Sequence, residues 1–392
     1  MKKNLEIIAL TGAMLLSLAP FGIAAEVTGG KANAGTVGTV KQTAQPRGGD
    51  EDAKVVKEEK IACEWLPFPD NTKFKVLGLN WFEENKPQLW RMPKGRLDAL
   101  PNGVQRQSKH PSGGRILINC NTATLGLKVM PLTKGGRKGF DVYVNGKFLK
   151  SAVAEEPNVE TDLVLFKDLD NRQKEIMIYL PYHQEIVIKA VGVDKETQFS
   201  APAHKFAKPL PVVFYGSSVC QGSGALKAGM TYEAILAREL NLDFINLGFG
   251  GAGKAETNVV DLVSSIPACC YVFDLGKSYG AQDKTAYKDM LQTVRQSHPN
   301  VPIICLTPIT SAREVRDESY SSRSVHTRTV MRDAANELIT AGEKNLYLLE
   351  GEYLLGFNEH EGLSKDGVHP ADQGYSIIAK KLVPTLKKAL GM

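Results

Sequence analysis

Between Cys63 and about Ala207 the apolar positions fall in short runs, several of them alternating or rich in β-branched residues. They are Phe74 to Leu79, Arg115 to Asn119, Leu125 to Met130, Phe140 to Val144, Asp162 to Phe166, Ile176 to Leu180 and Ile186 to Val191. Alternation sends every second side chain to one face of a strand, and Gly and Asn, as in Val144-Asn145-Gly146, punctuate the runs. No long helical period interrupts them. The pattern predicts an all-β sandwich or jelly-roll domain over residues 61–207.

Pro209 and Pro211 mark a change of regime. Strand and helix patterns then alternate: strand Val212 to Tyr215, helix Tyr232 to Leu240, strand Phe244 to Leu247, helix from about Ala255 to Ser264, strand Tyr271 to Asp274. Helix Lys284 to Gln296, strand Val301 to Leu306, helix Ser324 to Ala341, strand Leu346 to Leu349 and a closing helix Asp372 to Leu390 follow. Strands each followed by a helix predict an α/β domain over 208–392, a parallel sheet in a flavodoxin-like three-layer arrangement. Ligands of such sheets bind beyond the carboxyl ends of the strands, so the loops leaving them are where chemistry is expected.

The N-terminus departs from both patterns. Lys2 and Lys3, an apolar run from Ile7 to Leu18, Pro20 and the small-residue end Ile23-Ala24-Ala25 predict a signal peptide over 1–25 and export to the periplasm or the extracellular space. The run stops short of the roughly 20 residues a membrane span needs. No Cys follows it closely, so a lipid-anchored form is not expected, for want of an acceptor residue near the cleavage point. Residues 26–60 are rich in Gly, Thr, Lys and Glu with hardly a large apolar side chain, and read as a flexible linker.

The formal charge of +5 falls to +4 when the signal segment is set aside, because it takes two Lys and one Glu with it. Basic and acidic residues are interleaved, which argues against nucleic acid or an anionic membrane as a partner. Six cysteines in an exported chain permit disulfides without making a disulfide scaffold. Cys63 and Cys120 are the pair expected to bridge. No metal-ligand spacing occurs, so neither metal nor cofactor is expected.

The first strand of the α/β domain runs into Gly216-Ser217-Ser218-Val219-Cys220-Gln221-Gly222, where small residues allow a tight turn that exposes a hydroxyl. A serine is a poor nucleophile until a base takes its proton. Asp366-Gly367-Val368-His369-Pro370, just before the last helix, supplies a carboxylate three residues from an imidazole, a spacing that lets one hold the tautomer of the other. The loop Asn246-Leu247-Gly248-Phe249-Gly250-Gly251-Ala252-Gly253 leaves the second strand, and its amides can approach an anion closely. Without a Walker Lys-Ser pair or a dinucleotide acid on the next strand, an oxyanion suits it better than a phosphate. Cys220, with no His close in sequence, reads as a packed side chain, and His326 as a solvated one. Trp65, Trp81 and Trp90 read as sandwich aromatics, and the loop Ile309 to Arg323 as a candidate pocket wall.

Gly-Ser-Ser, the Gly-rich second block and Asp-x-x-His together resemble the SGNH (GDSL-like) hydrolase superfamily. Trp81 to Trp90, Arg91-Met92-Pro93, Pro111-Ser112-Gly113-Gly114-Arg115 and Tyr271 to Asp274 extend the likeness to its two-domain subgroup with an N-terminal jelly roll, related to carbohydrate acetylesterases and to the salicylyl-transfer enzyme of a tetracycline pathway. The resemblance implies Ser218 as nucleophile, His369 as base, Asp366 as its orienting acid, and an oxyanion hole from Ser218 and Gly251. The family's third-block Asn is missing; Ser278 is the nearest match in register, with Lys277 and Asn258 as further candidates. The implied function is a secreted serine esterase removing small acyl groups, acetyl above all, from a carbohydrate or small-molecule ester. The alternatives are an acyltransferase using the same three residues, or a non-catalytic carbohydrate-binding relative.

Overall fold

The protein is described as a computed structural model covering residues 61–69, 72–135 and 139–392, so the expected signal peptide and linker lie outside the described residues. In the N-terminal half two antiparallel sheets face each other. One carries Glu64–Pro67, Ile186–Val193, Leu125–Pro131 and Thr161–Phe166 in that order. The other carries Phe199–Ser200, Arg115–Cys120, Lys174–Tyr179, Phe140–Val144 and Lys147–Ala152, with Phe74–Leu77 also paired to Arg115–Cys120. Ile116, Ile118, Leu127, Val142, Ile176 and Ile188 fill the space between them, as the alternation requires.

Three strands escape the hydrophobic pattern. Lys147–Ala152 is exposed along most of its length at the end of its sheet, so it has no buried face to advertise. Glu64–Pro67 and Phe199–Ser200 are short. Helices Phe82–Asn85 and Asn102–Ser108 and the 3-10 turn Lys94–Ala99 also went unread, because none is long enough to establish a period. The expected Cys63–Cys120 bridge is not formed, and both thiols are free. Cys63 immediately precedes the strand Glu64–Pro67 of one sheet, whereas Cys120 ends Arg115–Cys120 of the other, and packed sheets stand about 10 Å apart.

The C-terminal half holds a parallel sheet in the order Phe244–Gly248, Val212–Gly216, Cys270–Asp274, Ile303–Leu306, Leu346–Leu349. Val213, Tyr215, Leu247, Tyr271 and Phe273 pack on one side, Val212, Phe214, Phe244, Val272 and Ile304 on the other. Burial on both faces is why these strands read as continuous apolar runs rather than alternating ones. Helix Glu318–Thr340 starts six residues earlier than expected, with Asp317 accepting the Tyr320 amide at 2.9 Å, and a short helix Ala312–Arg316 precedes it. Ala255 adopts φ +63°, which delays helix Thr257–Ser264 by two residues. Among the described residues no helix is long and apolar enough to cross a membrane.

Trp81 and Trp90 pack partly buried against the α/β core, and Trp65 lies over Gly126 and Gly192, so packing accounts for all three. The two halves meet along strand Phe244–Gly248, the edge of the parallel sheet. Parallel pairing uses one side of that strand and leaves the carbonyls of Phe244, Asn246 and Gly248 facing outward. Arg115, 2% exposed, donates to the Phe244 carbonyl at 2.7 Å and to Asp243 Oδ1 at 2.7 Å. Arg91, 1% exposed, donates to the carbonyls of Asn246 and Gly248 at 3.0 and 2.6 Å. Both arginines lie in sequence segments singled out above, and both come from the N-terminal half. A sheet edge that would otherwise need water or another strand is closed by two guanidinium groups.

Arg115→Met keeps the bulk of the side chain but leaves the Phe244 carbonyl without this donor, while the Asp243 carboxylate loses the guanidinium and keeps the Phe244 amide at 2.8 Å. The expected loss is about 3 kcal/mol of unfolding free energy. A urea midpoint unchanged from the parent protein would show that the edge is held by other means.

Candidate active site

Strand Val212–Gly216 ends on a residue that cannot carry a side chain: a Cβ on Gly216 would lie 2.0 Å from the Asp274 carbonyl oxygen and 2.8 Å from the Cys220 Cβ. That closeness lets the chain turn at Ser217, whose amide donates to the Asp274 carbonyl at 3.0 Å, and start a short helix, Ser218–Gln221, with Ser218 at its head. Ser218 therefore stands beyond the carboxyl end of the strand at which the sheet order reverses. This is the switch point where doubly wound sheets hold their ligands.

The turn before the last helix brings its two residues to the same place. Asp366 Oδ1 accepts the amides of Val368 and His369 at 2.8 and 2.9 Å and the Ser364 hydroxyl at 2.9 Å, a self-contained turn. Its Oδ2 meets His369 Nδ1 at 2.6 Å, and His369 Nε2 lies 2.9 Å from Ser218 Oγ. Burial pushes the Asp366 carboxyl up, but the bonds from the His369 ring and the two amides outweigh it and hold the group far below the usual carboxylate range. An ionised Asp366 fixes Nδ1 as the protonated nitrogen and leaves Nε2 free to accept the Ser218 proton.

The glycine loop passes beside this chain of groups. A Cβ on Gly250 would be 3.6 Å from Ser218 Cβ, and Gly251, exposed, follows with φ +72°. Among the described residues the amides of Ser218 and Gly251 donate to no protein acceptor. Ser278, on the 3-10 turn Gly276–Tyr279, lines the same cavity as Ser218 and His369. Of the two further candidates, Asn258 is turned away and donates to the Ala99 carbonyl. Lys277 lines the cavity but pairs with Glu314 at 2.6 Å, and burial brings its ammonium down to about 8.

The cavity measures about 240 Å³, with Val219, Pro308, Ile309, Tyr320 and Val368 as its apolar wall. Ile309 and Tyr320 come from the segment expected to border the pocket. Cys220 is fully buried with its thiol far above the ordinary range, which makes it a packed side chain as read, and His326 is exposed. The pattern missed Asp274, a carboxyl 6% exposed at the base of the cavity. Its Oδ2 accepts the Tyr232 hydroxyl at 3.2 Å, and burial lifts it to about 7. The signal available in the sequence was its position, as the single acid at the end of an apolar strand.

A 2-1-3-4-5 parallel sheet with a Ser-His-Asp hydrogen-bond chain at its switch point defines an α/β protein of the serine-hydrolase type. The profile of the GDSL-like lipase/acylhydrolase family matches residues 209–387, and that of the N-terminus of SGNH-hydrolase-type esterases matches residues 64–199. The chain belongs to the GDSL-like (SGNH) hydrolases in their two-domain form. Solved structures with the same fold include a GDSL-like protein from Bacteroides ovatus, 25% identical over 84% of this chain and 98% of that one, with a TM-score of 0.72. The salicylyl-acyltransferase SsfX3 of a tetracycline biosynthetic pathway is 20% identical over 85% and 99%, TM-score 0.70. An acetyl xylan esterase from the rumen bacterium Butyrivibrio proteoclasticus is 15% identical over 84% and 99%, TM-score 0.58. The last two likenesses establish the fold. Among curated proteins no relative matches the chain.

Asp274 has a consequence for stability. Its folded-state pKa is raised above the ordinary value of 3.8, so its contribution to stability is fully present below about pH 4 and is lost as pH rises toward 7. Asp274→Asn keeps an acceptor for Tyr232 and removes the charge. It should raise the urea midpoint at pH 8 and have little effect at pH 4, and an increment equal at both values would contradict the burial argument.

Proposed function

We propose that the protein is an exported serine esterase that removes small acyl groups, acetyl above all, from a carbohydrate or similarly polar ester. The observation that carries this reading is the continuous chain from Asp366 through His369 to Ser218, with bonds of 2.6 and 2.9 Å. Ser218 Oγ attacks the ester carbonyl while its proton passes to His369 Nε2. The amides of Ser218 and Gly251, which have no acceptor among the described residues, and the Ser278 hydroxyl donate to the oxyanion. Collapse breaks the bond to the alcohol, which leaves with the proton from His369. Water then repeats the sequence on the acyl-enzyme, its proton moving to His369 and back to Ser218 as the acid departs.

The 240 Å³ cavity favours a short acyl chain, being below the roughly 300 to 1,000 Å³ usual for drug-sized ligands. The acetyl xylan esterase and a family two carbohydrate esterase from Clostridium thermocellum among the fold relatives support a carbohydrate as the alcohol part. SsfX3, similar over 85% of the chain, keeps acyl transfer as a second reading. An alcohol acceptor separates the two, because only a transferase would give ester exchange in preference to acetate.

Acetate release from acetylated polysaccharides and from a small acetyl ester is the direct test. Ser218→Ala and His369→Ala should each abolish it without unfolding the protein, and Asp366→Asn should lower turnover roughly a thousand-fold or more through the wrong imidazole tautomer. Retained turnover in Ser218→Ala would remove the nucleophile from this reading.

Ser278 gives a finer prediction. As a short replacement for a side-chain amide, its hydroxyl should contribute about tenfold, less than the 10² to 10³ of a well-placed donor. Ser278→Ala should therefore slow the small ester about tenfold and Ser278→Asn should speed it. Unchanged turnover in Ser278→Ala would exclude the hydroxyl from the oxyanion hole.

A further inference from the structure

Arg91 does more than close a sheet edge. Its Nε donates to the His110 carbonyl at 2.7 Å and one terminal nitrogen to the Gln107 carbonyl at 2.7 Å. The other terminal nitrogen reaches the carbonyls of Asn246 and Gly248, and the group lies 4.7 Å from the centre of the Phe249 ring. One guanidinium thus ties helix Asn102–Ser108 and its C-terminal flank, in the N-terminal domain, to the start of the glycine loop. Among the described residues no carboxylate contacts the charge. Burial brings it down to about 9, and Glu233 is reached only through Asn246, whose amide donates to Glu233 Oε1 at 2.9 Å. A buried cation without a direct counter-ion is costly, so its retention calls for a role that a neutral side chain could not fill.

The same helix holds the loop a second time. Gln107 Nε2 donates to the Gly250 carbonyl at 3.3 Å, and Gln107 Oε1 accepts from Gln221 Nε2 at 2.9 Å. Gln221, three residues after Ser218, in turn accepts the Gly250 amide at 2.6 Å. Both polar groups of Gly250 are occupied, one by the helix that starts at Ser218 and one by the N-terminal domain. The next amide along the chain is that of Gly251.

We infer that Arg91 and Gln107 are positioning residues for the esterase site: acting from the N-terminal domain, they fix the Gly248–Gly250 backbone and so aim the Gly251 amide at the oxyanion. The inference rests on the functional reading above, in which Gly251 is an oxyanion donor. A donor displaced by a fraction of an ångström costs transition-state binding and leaves substrate binding nearly intact, because charge builds on the oxygen only in the transition state.

The test uses the full chain and compares Arg91→Lys, Gln107→Ala and Arg115→Met. Lysine keeps the charge, but its compact ammonium cannot span the four carbonyls of Gln107, His110, Asn246 and Gly248 that the planar guanidinium reaches. Gln107 is only half-buried, so its variant stays informative if Arg91→Lys does not fold. For folded Arg91→Lys and Gln107→Ala we expect kcat on a small acetyl ester to fall about 10- to 100-fold, with KM changed by no more than about twofold. Affinity for a small boronic acid, whose tetrahedral adduct on Ser218 carries the negative charge of the intermediate, should fall in parallel. Arg115→Met, at the far end of the same strand, should lose stability without this kcat signature. Parental kcat and boronate affinity in folded Gln107→Ala, or an equal kcat loss in Arg115→Met, would overturn the inference. Either result would leave Ser218 chemistry standing, since that is judged separately by the loss of acetate release in Ser218→Ala.

Discussion

The outward carbonyls of one edge strand decide how this molecule is put together. Phe244, Asn246 and Gly248 present acceptors that a free edge would offer to water or to another chain, and two arginines from the β-sandwich half take them instead. Each guanidinium is buried, so each requires acceptors, and the strand requires donors. Neither half satisfies its own demand. This mutual need acts together with apolar packing of Met92, Leu97, Leu100 and Val104 on the α/β core to join the two domains, and the glycine loop continues the clamped strand.

The α/β half was legible because strands buried on both faces must be apolar throughout, as Val212 to Tyr215 and Tyr271 to Phe273 are. The candidate site was legible where its geometry is local: Asp366 and His369 share one turn, and Ser218 follows a strand. What could not be read is what depends on contact between distant segments. Arg91 and Arg115 lie in segments that carry the family likeness, but nothing in a sequence says that a charged residue will be swallowed by a neighbouring domain. Asp274 is similar, a strand-end acid whose burial is fixed by Tyr232 and the cavity rather than by its neighbours in sequence. The cysteine pairing failed for the opposite reason, since sharing a domain says nothing about sharing a sheet.

Buried ionisable groups gather around the nucleophile turn. Asp274 lies beneath it, Glu233 is pushed up to about 8 by burial, and Arg91 is brought down to about 9 by the same cause. Asn246 joins several of these elements, donating to the Cys220 carbonyl at 2.6 Å and to Glu233 while its own carbonyl accepts from Arg91. Such a network is expensive to leave partly satisfied, and it ties the orientation of the short Ser218 helix to that of the edge strand.

The local Asp366-His369 turn has one more effect, on the order in which the molecule becomes competent. Acid and base arrive together or not at all, because both sit directly ahead of the 19-residue helix Asp372–Leu390, which packs onto helix Tyr232–Leu240. The same helix also steadies the nucleophile side, because the Tyr375 hydroxyl donates to the carbonyls of Val219 and Ser223 at 3.0 and 2.8 Å. On the proposed mechanism a nascent or partly unfolded chain in which that final helix has not docked would be silent, so reactivity at Ser218 would report its docking onto helix Tyr232–Leu240.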